Sequence, residues 1–302
     1  MAFWRKRSIV DPDHGDLLAR QLRAALTRRD WPTAAGMLSG VRHPDDRDFY
    51  LDICSEIDNL QDWIDEWIAA EPGSTLPLLV KGVHGVSWAW EARGGGRASE
   101  TSHEQFKEFH RRLKTAEDCL DEVVERDPDD TEAWAALVTS ARGRRVNREE
   151  AERRFGNVVK RHPAHRTAHE QMLQYLCGKW FGSDEEMWEF ARAAPLPHLI
   201  TVAYLETWIE HGREALDNDE TRAELRATAQ RVDAYPGHRD PGWDTVENVL
   251  AFTFCLADDY AAAAERFRRI GDRATDWPWF HLKGGADKQF KLFRTVAFKS
   301  AG

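Results

Sequence analysis

Apolar residues recur along this chain at helical spacing. Patterns of i, i+3 and i+4 are found throughout, whereas the strict alternation typical of β-strands never persists. Because one turn of an α-helix takes 3.6 residues, this spacing places apolar side chains on one face of each helix. The sequence therefore predicts an all-α protein.

Turn signals divide the helical stretches into about seven helix pairs. Proline and glycine mark most of these turns, because proline breaks the helical hydrogen-bond ladder and glycine favours chain reversal. Ser102 and Gln105 have the spacing of a capping box, in which each side chain satisfies a free backbone N–H at a helix start. The predicted pairs cover residues 16–40, 44–70, 75–127, 131–161, 166–194, 198–234 and 244–270.

Two of these pairs resemble the tetratricopeptide (TPR) repeat. In the last pair the small residues Ala251 and Ala263 allow two helices to approach closely, while larger residues fill the space beside them. In the fourth pair Trp134 follows the turn residue Pro128 by six positions, which is the spacing of proline and tryptophan in TPR units. The resemblance implies a right-handed α-solenoid of about seven antiparallel helix pairs, in which each repeat packs on its neighbours.

A second resemblance lies in residues 179–191. The segment begins Lys-Trp-Phe-Gly-Ser and continues with Met187, Phe190 and Ala191, and it is similar to the signature of a bacterial TPR-like domain family of uncharacterised function. Phe181 stands where that family usually has glycine. The resemblance implies a helical fold and brings no catalytic residue with it. The tryptophan and phenylalanine of the segment are predicted to lie in a turn, either as a plug over a repeat junction or as an exposed contact.

We expect three parts along the chain. The TPR-like repeat domain covers 16–282, and a basic N-terminal segment that contains an Arg-Lys-Arg run, 1–15, precedes it. Residues 283–302 are basic too, and they place Phe290 and Phe293 at helical spacing with lysines between them. This pattern predicts a capping helix over the last repeat, or a basic tail, because the end of a solenoid needs a polar outer face. A helix that lies on a membrane surface is the alternative.

Composition excludes several classes of protein. The chain has 302 residues and a net charge of −10, which argues against bulk nucleic-acid binding. No stretch approaches 18 uncharged apolar residues, so no transmembrane segment is predicted. The four cysteines lie far apart in the sequence and form neither a CxxC motif nor a disulfide framework, which indicates a reducing compartment. We therefore predict a cytoplasmic protein without a cofactor, and oligomeric state stays open.

Candidate contacts for a partner are aromatic residues of the first helices, with a run of arginines at the rim. Arginine binds carboxylate and phosphate groups through paired N–H donors. Because glutamates interleave with the arginines, a salt-bridged surface is the alternative. Periodicity alone does not separate aromatic residues of a groove from those of the core. The candidates are Trp88, Trp134, His169, Tyr204 and Trp208, with Arg142, Arg144, Arg145 and Arg148 at the rim.

The histidines 162, 165 and 169 form a weaker candidate, for metal binding. His165 and His169 share one helix face at i, i+4, a spacing that can hold zinc, whereas His162 precedes a proline in a turn. His169 occupies the position that Trp134 has in the preceding repeat, so a packing role is the simpler interpretation. The glycines Gly94–Gly96 interrupt the third pair and predict a mobile loop.

No set of residues in the chain specifies a reaction. Our first hypothesis is a non-catalytic scaffold or adaptor that binds a protein or peptide in the concave face of the solenoid. The alternative is an enzyme, or a sensor of a metal or small ligand, with a pocket inside the superhelix near the glycine loop and the histidines. A structural oligomer that buries tryptophan faces between copies is the third hypothesis.

Overall fold

The computed structural model describes residues 9–96 and 98–302, and the Arg-Lys-Arg run at 5–7 lies outside these residues. Within the described ranges the regular elements are fifteen α-helices and a few short 3₁₀ turns, with no β-strand beyond one isolated bridge. The all-α prediction is confirmed. The helices are α1 (Leu17–Thr27), α2 (Trp31–Gly40), α3 (Pro44–Ser55), α4 (Ile64–Ala70), α5 (Leu76–Arg93), α6 (His103–Arg126), α7 (Thr131–Arg144), α8 (Arg148–Arg161), α9 (Arg166–Leu176), α10 (Asp184–Ala193), α11 (Leu199–His211), α12 (Asp219–Asp233), α13 (Asp244–Leu256), α14 (Tyr260–Ile270) and α15 (Ala286–Ser300).

Local side chains fix several helix starts. The predicted capping box precedes α6: Ser102 Oγ accepts from Gln105 N at 3.2 Å, and Gln105 Oε1 accepts from Ser102 N at 3.0 Å. Asp130 precedes α7, and its carboxylate accepts from Ala133 N at 2.9 Å. A side chain that satisfies a free N–H at a helix start stabilises the helix by about 1 kcal/mol. The polar residues between the helical stretches therefore determine where these helices begin.

The chain divides into two compact units. The first unit comprises residues 17–183, and the second comprises residues 184–302 together with the described residues before 17. In the first unit the odd-numbered helices contact one another in order, α1 with α3, α3 with α5, α5 with α7 and α7 with α9. The even-numbered helices α2, α6 and α8 each pack against a helix next to them in sequence.

Small residues bring α5, α6 and α7 of the first unit unusually close together. A Cβ atom added at Gly82 of α5 would lie 2.6 Å from Leu120 Cγ of α6. One added at Gly143 of α7 would lie 2.4 Å from Leu113 Cδ1, also on α6. No room remains for a side chain at Gly82 or Gly143, because leucine side chains of α6 already fill the space beside them.

In the second unit, α13 contacts α11, α12, α14 and α15. The core of the second unit contains Phe252, Phe267, Trp279 and Phe290, which are all nearly inaccessible to solvent. The buried amide oxygen of Asn248 accepts from Trp279 Nε1 at 2.8 Å. The C-terminal helix predicted around Phe290 is present as α15, and it packs on α13 and α14. None of the described helices is both long and apolar enough to cross a lipid bilayer.

Candidate functional site

Tryptophan and arginine side chains from four segments meet at one end of the first unit. The segments are the C-terminal ends of α5 and α7, the first turns of α6, and the turn 177–183 after α9. We call this group the tryptophan–arginine cluster. It consists of Trp90, Arg93, Phe106, Phe109, Arg142 and Trp180.

Arg142 lies at the centre of the cluster. The carbon of its guanidinium is 5.4 Å from the ring centre of Trp90 and 5.5 Å from that of Trp180. The two indole rings meet edge to face at 5.9 Å. Both terminal nitrogens of Arg142 donate to amide oxygens, Nη1 to Gln174 at 3.0 Å and Nη2 to Gln171 at 2.7 Å. The arginine is therefore fixed in one position, with two cation–π contacts to rings that are only partly exposed.

Arg93 joins the glycine loop to the cluster. Its guanidinium is 5.6 Å from the ring centre of Trp90 and 5.9 Å from that of Phe106. Nη1 of the same arginine donates to the carbonyl oxygens of Gly94 and Gly96, at 3.0 and 3.1 Å. Gly94 has a φ of +75°, a left-handed value that glycine adopts without strain. The described part of the loop is thus held against the aromatic rings.

Both tryptophan donors of the cluster lack an acceptor among the described residues. The indole nitrogens of Trp90 and Trp180 are shielded from solvent, and neither donates to any atom of the described residues. Leaving such a donor unsatisfied costs about 1–3 kcal/mol. The same is true of Trp67 and Trp243, whose side chains are buried, so an unsatisfied indole does not by itself mark a site. Partial exposure distinguishes the pair in the cluster, since Trp243 also has an arginine, Arg239, 5.4 Å from its ring centre.

An exposed histidine adjoins the cluster. His110 packs on Phe109, with ring centres 5.2 Å apart. Partial burial lowers its pKa, and the nearby charges of Arg144 and Arg145 add to this effect. The surroundings therefore favour the neutral form of the His110 ring.

Two carboxylates in this region are paired with arginines. Glu108 accepts from both Arg111 and Arg112, and these hydrogen bonds lower its pKa to about 2. The buried Glu117 accepts from Arg144 Nε at 2.7 Å and from Arg154 Nη1 at 2.7 Å. Each of these two acidic groups is thus surrounded by two guanidinium groups.

The predicted rim arginines divide into different roles. Arg142 belongs to the cluster, whereas Arg144 is tied to Glu117. Arg148 donates to the carbonyl of Phe181 at 3.3 Å. Arg145 directly follows α7, and it has a left-handed φ of 55° and an exposed side chain. The salt-bridged interpretation therefore holds for Arg144, and the binding rim stays a prediction.

The predicted aromatic contacts of the first unit differ in their surroundings. Trp134 is buried, donates from Nε1 to the carbonyl of Pro128 at 2.9 Å, and is covered by Arg153 at 5.2 Å. Trp88 is partly exposed, with the Arg112 guanidinium 3.7 Å above its ring.

Tyr204 and Trp208 belong to the second unit. Buried Tyr204 contacts Trp188 at 4.7 Å, and partly exposed Trp208 contacts Phe252 at 5.3 Å. Residues of the cluster that the sequence did not single out are Trp90, Arg93, Phe106 and Phe109. Their one sequence signal was proximity to the glycine loop.

Each of the three histidines proposed as a metal alternative forms a hydrogen bond with another group of the protein. His162 Nε2 lies 3.1 Å from Asp45, and His165 Nδ1 accepts from Ala168 N at 3.3 Å. His169 is buried, bonds through Nδ1 to the carbonyl of His165 at 2.8 Å, and packs edge-on against Phe155. Burial lowers the pKa of His165 to about 4, so its ring is neutral at physiological pH. These contacts give the histidines structural roles at the start of α9.

A second ionic group in the same unit links α3 to α7. Arg47 donates to Asp130 at 3.0 Å and to Glu132 Oε2 at 3.1 Å, and both carboxylates are nearly inaccessible. Burial raises the pKa of Glu132 to about 8, with repulsion from Asp130 and Asp48 adding to it and Arg47 opposing it. Its other oxygen, Oε1, has no partner among the described residues. Burial therefore favours the protonated form of Glu132, against the opposing effect of Arg47.

The second unit contains a tryptophan–arginine pair in different surroundings. The guanidinium of Arg192 lies 4.8 Å from the ring centre of Trp188 on α10. Both side chains line an open depression with three acidic residues of the same helix, Asp184, Glu185 and Glu189. The pair has the same indole–guanidinium chemistry as the cluster but an acidic environment, which makes it a matched control.

Comparisons with protein-family models, with curated proteins and with solved structures give no match to this chain.

Proposed function

We propose that this chain is a cytoplasmic, non-catalytic scaffold of the TPR-like type that binds a protein or peptide partner. We infer that its helices form a right-handed solenoid. The order of contacts supports this, since α1, α3, α5, α7 and α9 each contact the next odd-numbered helix, as the first helices of stacked pairs do. Four buried free cysteines are compatible with a reducing compartment.

The observation that carries the binding proposal is the contact of the Arg142 guanidinium with both Trp90 and Trp180. Tryptophan and arginine are the residues most enriched at the energetic centres of protein interfaces. The three side chains are partly exposed and come from α5, α7 and the turn after α9. Their position is fixed before a partner binds, and this fixed geometry reduces the entropy that association costs.

Two observations favour a scaffold over an enzyme that uses a cysteine nucleophile or a carboxylate. Burial raises the pKa of the thiols of Cys54, Cys119 and Cys255, the last to about 12. A thiol with a raised pKa is a poor nucleophile at neutral pH. Two carboxylates near the cluster, Glu108 and Glu117, are paired with arginines, which makes them poor candidates for a general acid or base.

The test is affinity capture with variants of the cluster. Tagged wild-type protein, Trp180→Ala and Arg142→Gln are used to capture proteins from lysate of the source organism, and the control is Trp188→Ala in the second unit. We expect a partner that wild type and Trp188→Ala retain and that both cluster variants lose. Reconstitution of that partner from purified protein confirms direct binding.

Folding must be monitored in the same samples. Circular dichroism and thermal unfolding show whether each variant keeps the wild-type helix content. A partner that all variants retain equally would place the binding surface elsewhere and contradict the role of the cluster.

A further inference from the structure

We infer that the outward face of α15 binds an anionic membrane surface, with lysine ammonium groups on the lipid headgroups and the side chains of Leu292 and Val296 at the edge of the acyl region. α15 belongs to the second unit, whereas the tryptophan–arginine cluster belongs to the first. This surface is therefore additional to the proposed partner site.

The inner face of α15 is fixed on the core of the second unit. Phe290 and Ala297 are completely buried. The ring of Phe290 meets those of Phe267 and Trp279 edge to face, with 5.2 and 5.3 Å between ring centres. Because these contacts anchor one side of the helix, the opposite side is held towards solvent.

The outward face carries apolar side chains between lysines. Lys288, Leu292 and Val296 follow one another at intervals of four residues, and Lys299 comes three residues later, so all four lie on one side of the helix. Leu292 is 50% exposed and Val296 is 38% exposed, and both lysines are exposed as well. A lysine can lay its methylene stem along such apolar groups and keep its ammonium in the headgroup layer of a membrane.

Three lysines of this segment lack a counter-charge. Lys283, Lys288 and Lys299 are exposed, and none of them forms an ion pair with a described residue. Residues 283–302 contain a single acidic residue, Asp287, and it pairs with Lys291. The segment is therefore positively charged on a chain whose net charge is −10, and this local charge favours an anionic surface.

Two arginines add positive charge near the C-terminal end of the helix. The ring centre of Phe298, which is partly exposed, lies 5.7 Å from the guanidinium of Arg268 and 5.9 Å from that of Arg294. Arg268 projects from α14, is exposed and has no ion pair among the described residues. An aromatic ring next to cations at the same end of α15 as Lys299 suits the interface of a membrane, where aromatic and basic residues meet headgroups.

The lysine content favours a lipid surface over a protein partner. Lysine is depleted at protein–protein interfaces, where arginine and aromatic residues are enriched. A second copy of the chain would bring the same lysines together, since both halves of a symmetric contact present the same patch. A membrane offers anionic headgroups, each lysine adding about fivefold to the affinity, and an apolar boundary for Leu292 and Val296.

Co-sedimentation of the full chain with lipid vesicles measures this binding. The anionic vesicles contain phosphatidylcholine with roughly 30% phosphatidylserine, and the control vesicles contain phosphatidylcholine alone. We expect wild type to bind the anionic vesicles about tenfold or more tightly than the neutral ones. Binding should weaken between low and physiological ionic strength, where the electrostatic attraction is screened beyond about 8 Å.

A double lysine variant tests the role of charge. Changing Lys288→Gln together with Lys299→Gln keeps both side chains long and removes two charges, which should weaken binding to anionic vesicles about 25-fold. The matched control combines Lys107→Gln with Lys160→Gln, two exposed lysines of the first unit that have no ion pair among the described residues. It changes the net charge equally and should leave the affinity unchanged. Equal losses for the two double variants would contradict a local role of α15.

A second pair of variants tests the apolar contact. Leu292→Gln should weaken vesicle binding about fivefold, the effect of withdrawing about half of a leucine side chain from an apolar medium. Leu17→Gln alters the exposed leucine at the start of α1 and should have no effect.

A fluorophore that responds to polarity reports insertion without relying on affinity. It is attached to Val296→Cys, and the four native cysteines are buried and thus protected from the label. Its emission should shift to the blue when anionic vesicles are added. The same label on Leu17→Cys should not shift, and equal shifts at both positions would place the contact elsewhere.

The remaining outcomes identify other occupants. No binding of wild type to anionic vesicles overturns the membrane assignment, and so does equal binding to neutral vesicles. Self-association that Leu292→Gln abolishes, without vesicle binding, would assign the face to a second copy. Capture of a partner that Trp180→Ala loses does not involve α15, so the scaffold and the membrane surface can fail separately.

Discussion

Arg154 on α8 donates from Nη1 to Glu117 Oε1 on α6 at 2.7 Å, and both side chains are more than nine-tenths buried. Ser140 of α7 joins them, since its hydroxyl donates to the same glutamate oxygen at 2.6 Å. Three consecutive helices are thus connected by one buried polar network. A buried ion pair adds little net stability compared with apolar residues of the same size, but removal of one partner leaves an isolated charge.

We predict that Glu117→Ala lowers the free energy of unfolding by about 3–5 kcal/mol, because the Arg154 guanidinium loses its buried counter-charge. Chemical denaturation followed by circular dichroism measures this change. Glu108→Ala removes a partly exposed pair in the same helix and should cost less than about 1 kcal/mol. A loss at Glu117 no larger than at Glu108 would show that water reaches the arginine.

Glu132 makes stability depend on pH. Its pKa in the folded protein is about 8, above the ordinary value of 4.5. Between these values the folded state holds a proton that the unfolded state has released, so the contribution of this residue falls as pH rises from about 4.5 to 8. Glu132→Gln, which is neutral at every pH, should stabilise the protein at pH 8 relative to wild type and change little at pH 4.

Unfolding by urea at a series of pH values tests this prediction. The quantity to compare is the difference in unfolding free energy between Glu132→Gln and wild type. Glu122→Gln, at a partly exposed glutamate, is the comparison variant. A difference for Glu132→Gln that stays constant with pH would contradict the raised pKa of its carboxyl.

Alanine substitutions at two glycines should have opposite effects on stability, because Gly82 contacts another helix and Gly36 does not. Gly82→Ala places a methyl group 2.6 Å from Leu120 Cγ and should destabilise the protein by about 1–3 kcal/mol through overpacking. Gly36→Ala in α2 meets no atom within 4 Å and should stabilise it by about 0.5–1 kcal/mol through better helix propensity. Melting temperatures of the two variants give the signs directly. Equal effects would indicate that α5 and α6 lie further apart.

The four cysteines should be unreactive in the folded protein. All are buried and unpaired, and burial raises the pKa of Cys54, Cys119 and Cys255. We expect negligible reaction with a chromogenic disulfide reagent under native conditions and reaction of all four thiols in denaturant. Rapid native reaction of any one thiol would mean that its helix opens readily.

Much of the fold could be predicted from sequence because its signals are local. The capping residues Ser102 and Gln105 lie three positions apart, and Trp134 hydrogen bonds to Pro128 six positions earlier. Interactions at such short separation determine where helices begin, so their residues carry the information. The absence of persistent alternation likewise predicted a structure without strands.

The members of the candidate site could not be predicted from local sequence spacing in the same way. Arg142 and Arg144 are two residues apart in one run, yet the helix turns about 200° between them. One side chain therefore meets Trp90 and Trp180 while the other meets Glu117. Those partners come from other helices, and no spacing within the arginine run identifies them. Trp88 and Trp90 differ for the same reason, and only Trp90 belongs to the cluster.

The close approach of α5, α6 and α7 has a consequence for how the cluster moves. Backbone at Gly82 and Gly143 touches side chains of α6, so the three helices cannot slide past one another without a clash. Trp90, Phe109 and Arg142 extend from these same helices. The backbone that carries these three residues should therefore move as one body on the nanosecond timescale, with order parameters near 0.85. A partner would meet a surface whose shape is already set.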